Sequence, residues 1–120
     1  MPNVISQKVG EMRLDQAKLP GMLATLCFYD NWLGPYHPQT LHLMVQVAGA
    51  YCEAGLFGDA RPLLERAVRD IGRHLGQDHD LRLTAMAALR DLLTAQGDYE
   101  EAGVLRRDLA RHERRASVLQ

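Results

Sequence analysis

Part of this chain returns in altered form 42 residues further on, and the two copies align without a gap. Leu33-Gly34-x-x-His37 recurs as Leu75-Gly76-x-x-His79. Beyond it, Leu41, Met44, Gly55, Ala60, Leu63 and Arg69 recur as Leu83, Met86, Gly97, Ala102, Leu105 and Arg111. Phe57 and Asp59 meet the conservative counterparts Tyr99 and Glu101. These matches fall on the glycines and small residues that punctuate a helical hairpin, and a period of this length marks stacked repeats. One such unit cannot bury its apolar face alone, so the recurrence restricts the chain to an array whose units cover one another.

Apolar spacing places the helices. From Leu19 to Leu33, the residues Leu19, Met22, Leu23, Leu26, Cys27 and Tyr29 recur at intervals of three and four, which predicts one buried stripe. Pro20 is expected in its first turn, and Gly34-Pro35 ends it. The 42-residue shift sets Pro20 against Pro62 and Leu33 against Leu75, so this helix reads as the second of an incomplete or divergent hairpin. Pro38 suits the first position of the next helix, which runs to about Ala54 and ends at Gly55. Its apolar residues Leu41, Met44, Val45, Val47, Ala48 and Tyr51 are broad enough to touch neighbours on two sides.

The following helix turns Ala60, Leu63, Leu64, Ala67, Val68, Ile71 and Leu75 inward and closes at Gly76. Gly72 inside it costs about 1 kcal/mol relative to alanine, so a kink or a close neighbour is expected there. The next helix begins with Asp78 or His79 near the cap and Asp80 in the first turn, buries Leu83, Met86, Leu89, Leu92 and Leu93, and stops at Gly97. A last helix from about Tyr99 carries Arg106, Glu113 and Ser117 where its counterpart has Leu64, Ile71 and Leu75, the pattern of a solvent-facing cap. Near the start, Val4, Ile5, Val9 and Met12 fit one helix face that Gly10 interrupts. The expected organisation is an N-terminal helical segment 1–18, then an all-helical repeat domain 19–120 with a partial repeat 19–34 and repeats 35–76 and 77–115.

Composition narrows the chemistry. The 120 residues suit one domain. A net charge of −1 gives the whole molecule no reason to seek nucleic acid or an anionic membrane. No apolar run is long enough to span a bilayer and the first ten residues lack the pattern of a signal peptide, so a cytoplasmic setting is expected. Cys27 and Cys52 form no C-x-x-C pair and have no oriented base, so they read as reduced thiols packed as small hydrophobes. The 42-residue spacing of His37 and His79 is that of the repeat, and neither has a second ligand three or four residues on; His42 and His74 add to the count, but no metal is expected. His37 is expected to order the loop before Pro38. With no glycine-rich phosphate loop, paired-carboxylate pocket or activated nucleophile, neither a cofactor nor an enzymatic role is expected.

From about Leu19 to Arg111 the chain resembles the tetratricopeptide repeat, in the 42-residue form found in kinesin light chains. The first copy carries the resemblance through Leu33, Gly34, His37, Pro38, Thr40 and Leu41, then Ala48, Tyr51, Gly55 and Phe57, then Asp59, Ala60, Pro62, Leu63, Arg66 and Ala67. The second keeps Leu75, Gly76, Asp78, His79, Gln96, Gly97, Tyr99, Glu101 and Ala102, with Arg90 at the position of Ala48 and Leu93 at that of Tyr51. The resemblance implies antiparallel hairpins stacked in a short right-handed superhelix, with small residues at Ala48, Ala60 and Ala67 letting helices approach.

The resemblance also implies a non-catalytic scaffold that presents a concave groove to a peptide or protein partner. By register the groove positions are His42, Val45, Gly49, Cys52 and Glu53, then Thr84, Ala87, Asp91, Thr94 and Ala95. Two acids and no lysine or arginine among them favour a neutral or basic apolar segment over a C-terminal carboxylate, which relatives clamp with basic and amide residues. An alternative reading is a small helical regulator that touches nucleic acid through Arg106, Arg107, Arg111, Arg114 and Arg115; Asp108 and Glu113 interrupt that run, which also reads as a solvated face. Tyr29, Trp32 and Tyr36 cluster around the inter-repeat loop, and at helical spacing Tyr29 and Trp32 are expected to bury between hairpins rather than form an exposed patch. The N-terminal end, with Met22, Leu23, Leu26 and Phe28, is expected either to pack under residues 1–18 or to make a homodimer.

Overall fold

The computed structural model describes residues 14–119 as five helices: α1 Leu14–Trp32, α2 Pro38–Glu53, α3 Phe57–His74, α4 Asp80–Gln96 and α5 Tyr99–Leu119. No strand occurs among the described residues. The apolar residues expected near the N-terminus, Val4, Ile5, Val9 and Met12, lie outside them. Links of two to five residues turn each helix back on the last, so α2 pairs with α3 and α4 with α5. Helix α2 also packs on α1 and on α4, and α3 packs on α4. The result is a stack 58 × 36 × 27 Å across, longer than a globule of this chain length.

Each repeat is built by the same local bonds. The Gly55 N–H donates to Cys52 O at 3.0 Å and the Leu56 N–H to Tyr51 O at 2.8 Å; in the next hairpin Gly97 donates to Thr94 O at 3.1 Å and Asp98 to Leu93 O at 2.8 Å. This paired reach-back ties off the last helical carbonyls and needs a left-handed residue, which glycine supplies with φ 78° at Gly55 and 86° at Gly97. At the other end, the imidazole Nδ1 of His37 accepts from the Gln39 N–H at 3.1 Å, and His79 Nδ1 accepts from the Leu81 N–H at 3.0 Å. The repeated histidines are therefore N-caps of α2 and α4, each taking up an amide that has no partner inside its helix.

The core follows the pattern. Leu41, Met44, Val47, Ala48, Ala60, Leu64, Ala67 and Ile71 are fully buried, the three alanines expected at helix contacts among them. In the second hairpin Ala85, Met86, Leu92, Leu93 and Ala102 are buried, while Arg90 stays half-exposed beside them and turns its guanidinium to Asp91. Arg106 and Glu113 on α5 are exposed, as a capping helix requires.

Three expectations are corrected. Helix α1 begins at Leu14, five residues ahead of the expected start, so Pro20 lies inside it. Proline keeps a helical φ and forfeits one backbone bond, and Gln16, Ala17 and Lys18 are strong helix formers. Cys27 is exposed rather than packed, because α2 takes the Leu19 and Leu26 side of α1. Trp32 and Tyr36 are 75% and 50% exposed, and Tyr29 is half-buried. Tyr29 packs against the core as expected, whereas Trp32 does not fill the space between hairpins.

The loop entering each hairpin clips onto that hairpin's second helix. Tyr36 stacks on His74 of α3 with ring centroids 4.3 Å apart, and Asp78, the counterpart of Tyr36, pairs with His112 of α5 at 2.7 Å. The expected close neighbour of Gly72 is also present: a β-carbon there would lie 2.9 Å from Gln77 Nε2 and 3.0 Å from Arg82 Nε. Arg82 donates onward from Nη1 to Gln77 O at 2.9 Å. In the preceding interface the register positions of Gly72 and Arg82 hold Asp30 and Thr40, each with a buried oxygen that has no hydrogen-bond partner among the described residues.

Candidate partner-binding groove

Helices α2 and α4, the first helices of the two hairpins, lie side by side, and a groove of about 470 Å³ opens between their C-terminal halves. Gly49, Cys52 and Glu53 line it from α2, Ala88, Asp91, Leu92 and Ala95 from α4, and Phe57 from the start of α3. Gly49 lacks a side chain and Ala88 and Ala95 have short ones, so the helices leave room there instead of interdigitating. Phe57, Leu92 and Ala88 give an apolar floor, and Glu53 and Asp91 give the rim its charge.

Of the ten positions expected to line a groove, Gly49, Cys52, Glu53, Asp91 and Ala95 are brought together here. His42 lies apart, in a separate depression with Tyr29 of α1 and Pro38, Gln39, Leu43 and Gln46 of α2. Val45 is buried in the core at 8% exposure. Ala87 is half-buried; Thr84 and Thr94 are exposed, and their hydroxyls donate to Asp80 O and Arg90 O one turn back. None of these last three lines the groove. Phe57, Ala88 and Leu92 are the lining residues that register alone does not provide. Phe57 belongs to the turn glycine-aromatic motif, so its position beside Gly55 was the available signal.

The electrostatics differ from a simple pair of acids. Arg90 Nε and Nη2 both reach Asp91 Oδ1 at 3.1 Å, so one carboxylate of the rim carries its own counter-ion. That pair is exposed and contributes at most about 1 kcal/mol. Glu53 has no ion-pair partner among the described residues. Burial, and then the nearby Asp91 carboxylate, push the Cys52 thiol up from its ordinary range, so Cys52 sits in the groove as a neutral thiol rather than a nucleophile. Among the described residues no three His, Cys, Asp or Glu side chains converge as a metal site would need.

The arginines of the last helix form a different surface. Arg107, Arg111 and Arg114 share a depression on α5 with Val104, Asp108 and Ala110, and Asp108 is held by Arg111. Arg115 leans toward Asp78 at 4.0 Å. This is one helix face with mixed charge and no aromatic ring among its lining residues. No described helix is long and apolar enough to cross a membrane.

Residues 40–80, which run from α2 through α3 into the start of α4, match the family model of the tetratricopeptide repeat. Comparison with curated proteins and with solved structures gives no match. With five helices turned into hairpins, the same capping bonds repeated 42 residues apart and that match over residues 40–80, the fold is one of all-helical repeats of the tetratricopeptide type.

Proposed function

We propose that this chain is a non-catalytic interaction module whose groove between α2 and α4 holds a short segment of a partner protein. Tetratricopeptide repeats generally mediate protein–protein interaction, which sets the class. What supports the choice of surface is the convergence of Gly49, Cys52, Glu53, Phe57, Ala88, Asp91, Leu92 and Ala95 on one opening. A segment that fits places an aliphatic side chain over Phe57, Ala88 and Leu92 and a lysine or arginine toward Glu53 and Asp91. The unpaired Glu53 supplies most of the preference for a cation, because Asp91 must first release Arg90. Burial of the aliphatic group supplies most of the affinity, at roughly 25 cal/mol per Å².

Selection of peptides from a displayed random library on the full chain tests this reading. Enriched sequences are expected to place a basic residue within one to three positions of an aliphatic one. Affinity for a synthetic copy should fall at least tenfold with Glu53→Lys and with Ala95→Arg, both exposed positions whose change leaves the core intact. A library that yields no such pattern, or binding indifferent to both variants, rejects the groove as the site.

A further inference from the structure

Tyr99 and Phe57 are counterparts in the repeat, each the first residue of its hairpin's second helix. Phe57 packs against the core and lines the groove beside Gly49, Cys52 and Glu53. The same shift of 42 residues sets Asp91, Thr94 and Ala95 beside Tyr99. The α4 residues that face Phe57 across the groove, Ala88 to Ala95, have register counterparts only beyond residue 120, and the Tyr99 ring is 68% exposed. Residues 1–13 lead into α1, which packs on α2 alone at the opposite end of the stack. Asp91 and Ala95 therefore serve two openings: they line the groove from its α4 side, and by register they flank Tyr99. Charge follows the same line. From Asp91 to Glu101 the chain carries carboxylates at Asp91, Asp98, Glu100 and Glu101 and no lysine or arginine. Arg61 takes Asp98 and Glu101, which leaves Asp91 and the exposed Glu100 to set the charge around the ring.

We propose that Tyr99 is a second subsite for the partner segment, taking an arginine whose guanidinium lies on the ring face with the Asp91 carboxylate at its edge. This rests on the groove reading above and extends it across α4. A planar guanidinium stacks on an aromatic face and bonds a carboxylate in its own plane at the same time, which the compact ammonium of lysine does not do. Arg90 already shows that Asp91 accepts a guanidinium, with Nε and Nη2 both 3.1 Å from Oδ1. The incoming arginine displaces Arg90, and the ring face offsets the loss. Neighbouring helices stand about 8–10 Å apart and an extended segment advances about 3.3 Å per residue, so this arginine falls about three residues past the aliphatic anchor. It lies on the side away from the base that meets Glu53. The segment that fits thus presents a base, an aliphatic residue and an arginine in that spatial order.

Calorimetric titration of the full chain with two synthetic peptides decides the matter. Both carry a base and an aliphatic residue at a spacing selected on the groove; beyond the aliphatic residue one has arginine and the other citrulline, which keeps the shape and loses the charge. The arginine peptide is expected to bind about fivefold tighter. Tyr99→Ala should abolish that difference and leave the citrulline peptide unchanged, whereas Tyr99→Phe should keep it. The exposure of Tyr99 lets both variants retain the parent's helical circular dichroism. Glu53→Lys should weaken both peptides alike. A preference for arginine that survives Tyr99→Ala overturns the proposal, as does one lost in Tyr99→Phe, which would place the contact at the phenol hydroxyl instead of the ring face. Equal binding of the two peptides, still weakened by Glu53→Lys, keeps the groove and removes the second subsite; binding of neither peptide removes both.

Discussion

Arg61 Nη1 of α3 lies 2.7 Å from Asp98 Oδ2 in the turn between α4 and α5, and its Nη2 lies 3.0 Å from Glu101 Oε2. Gln96 accepts from the same Nη1 at 3.3 Å, and Glu65 stands 3.4 Å from Nε. One guanidinium thus ties the first hairpin to the turn of the second. The hydrogen bond to Asp98 is the main cause holding Arg61 more firmly protonated than usual, with Glu101, Asp98 and Glu65 adding charge and some burial opposing them.

Arg61→Ala should therefore loosen α5 more than α3. Amide hydrogen exchange is expected to accelerate from Asp98 into the first turns of α5, with a drop of a few degrees in the thermal midpoint. Asp98 is 46% and Glu101 62% exposed, so the difference between variant and parent should shrink as salt rises. A variant whose exchange rises evenly along the whole chain would mean that the cluster supports global stability instead of this joint.

The paired histidine caps give a second test. His37→Ala and His79→Ala should each cost about 1 kcal/mol in urea denaturation, and asparagine at either position should restore most of it, since its carbonyl oxygen can accept the same amide. Rescue by glutamine but not asparagine would contradict the short reach that a cap requires.

A third prediction concerns the crowding at Gly72. Alanine there would gain up to about 1 kcal/mol in helix propensity but must displace Gln77 Nε2 and Arg82 Nε. Gly72→Ala alone is expected to destabilise by about 1 kcal/mol. Combined with Arg82→Thr, the residue type found at the equivalent Thr40, it should be neutral or stabilising, so the double-mutant cycle should show coupling of at least about 1 kcal/mol. Simple additivity would mean that Arg82 does not set the size limit.

Thiol chemistry gives a fourth. Cys27 is exposed and Cys52 half-buried, so iodoacetamide should label Cys27 several-fold faster at neutral pH. Because its value is raised, Cys52 should begin to react only above the usual thiol range, and Asp91→Asn should bring that onset only part of the way down, since burial is the larger cause. The same sign governs stability: the contribution of the protonated Cys52 thiol is intact below the ordinary thiol range and is lost as pH climbs through the raised folded value. Equal labelling of the two thiols would argue against the groove geometry around Cys52.

The repeat made much of this fold legible. Gly55 and Gly97 mark bends because a left-handed cap accepts little else, and Ala48, Ala60 and Ala67 mark close contacts because larger residues would hold the helices apart. Where the two copies differ, the sequence said less. Arg61 aligns with Gly103 and Asp98 with Leu56, so no recurrence hints at their pairing. Helix α1 is apolar nearly all round, and periodicity cannot say which side meets α2, so the expected inward face takes in Cys27 and Trp32 as well. The groove was half visible. Register carries a helix face along its whole length, but His42 lies beside Tyr29 of α1, apart from Gly49, and Val45 is buried in the core.

The most direct test follows the backbone amides of the full chain by NMR during titration with a selected peptide that pairs a basic with an aliphatic residue. Binding in the groove predicts the largest shifts at Gly49, Cys52, Phe57, Ala88 and Ala95, with Glu53→Lys removing them. Shifts centred instead on Arg107 to Arg114 of α5, or on Phe28 and Trp32 of α1, would contradict the assignment of this groove as the partner site.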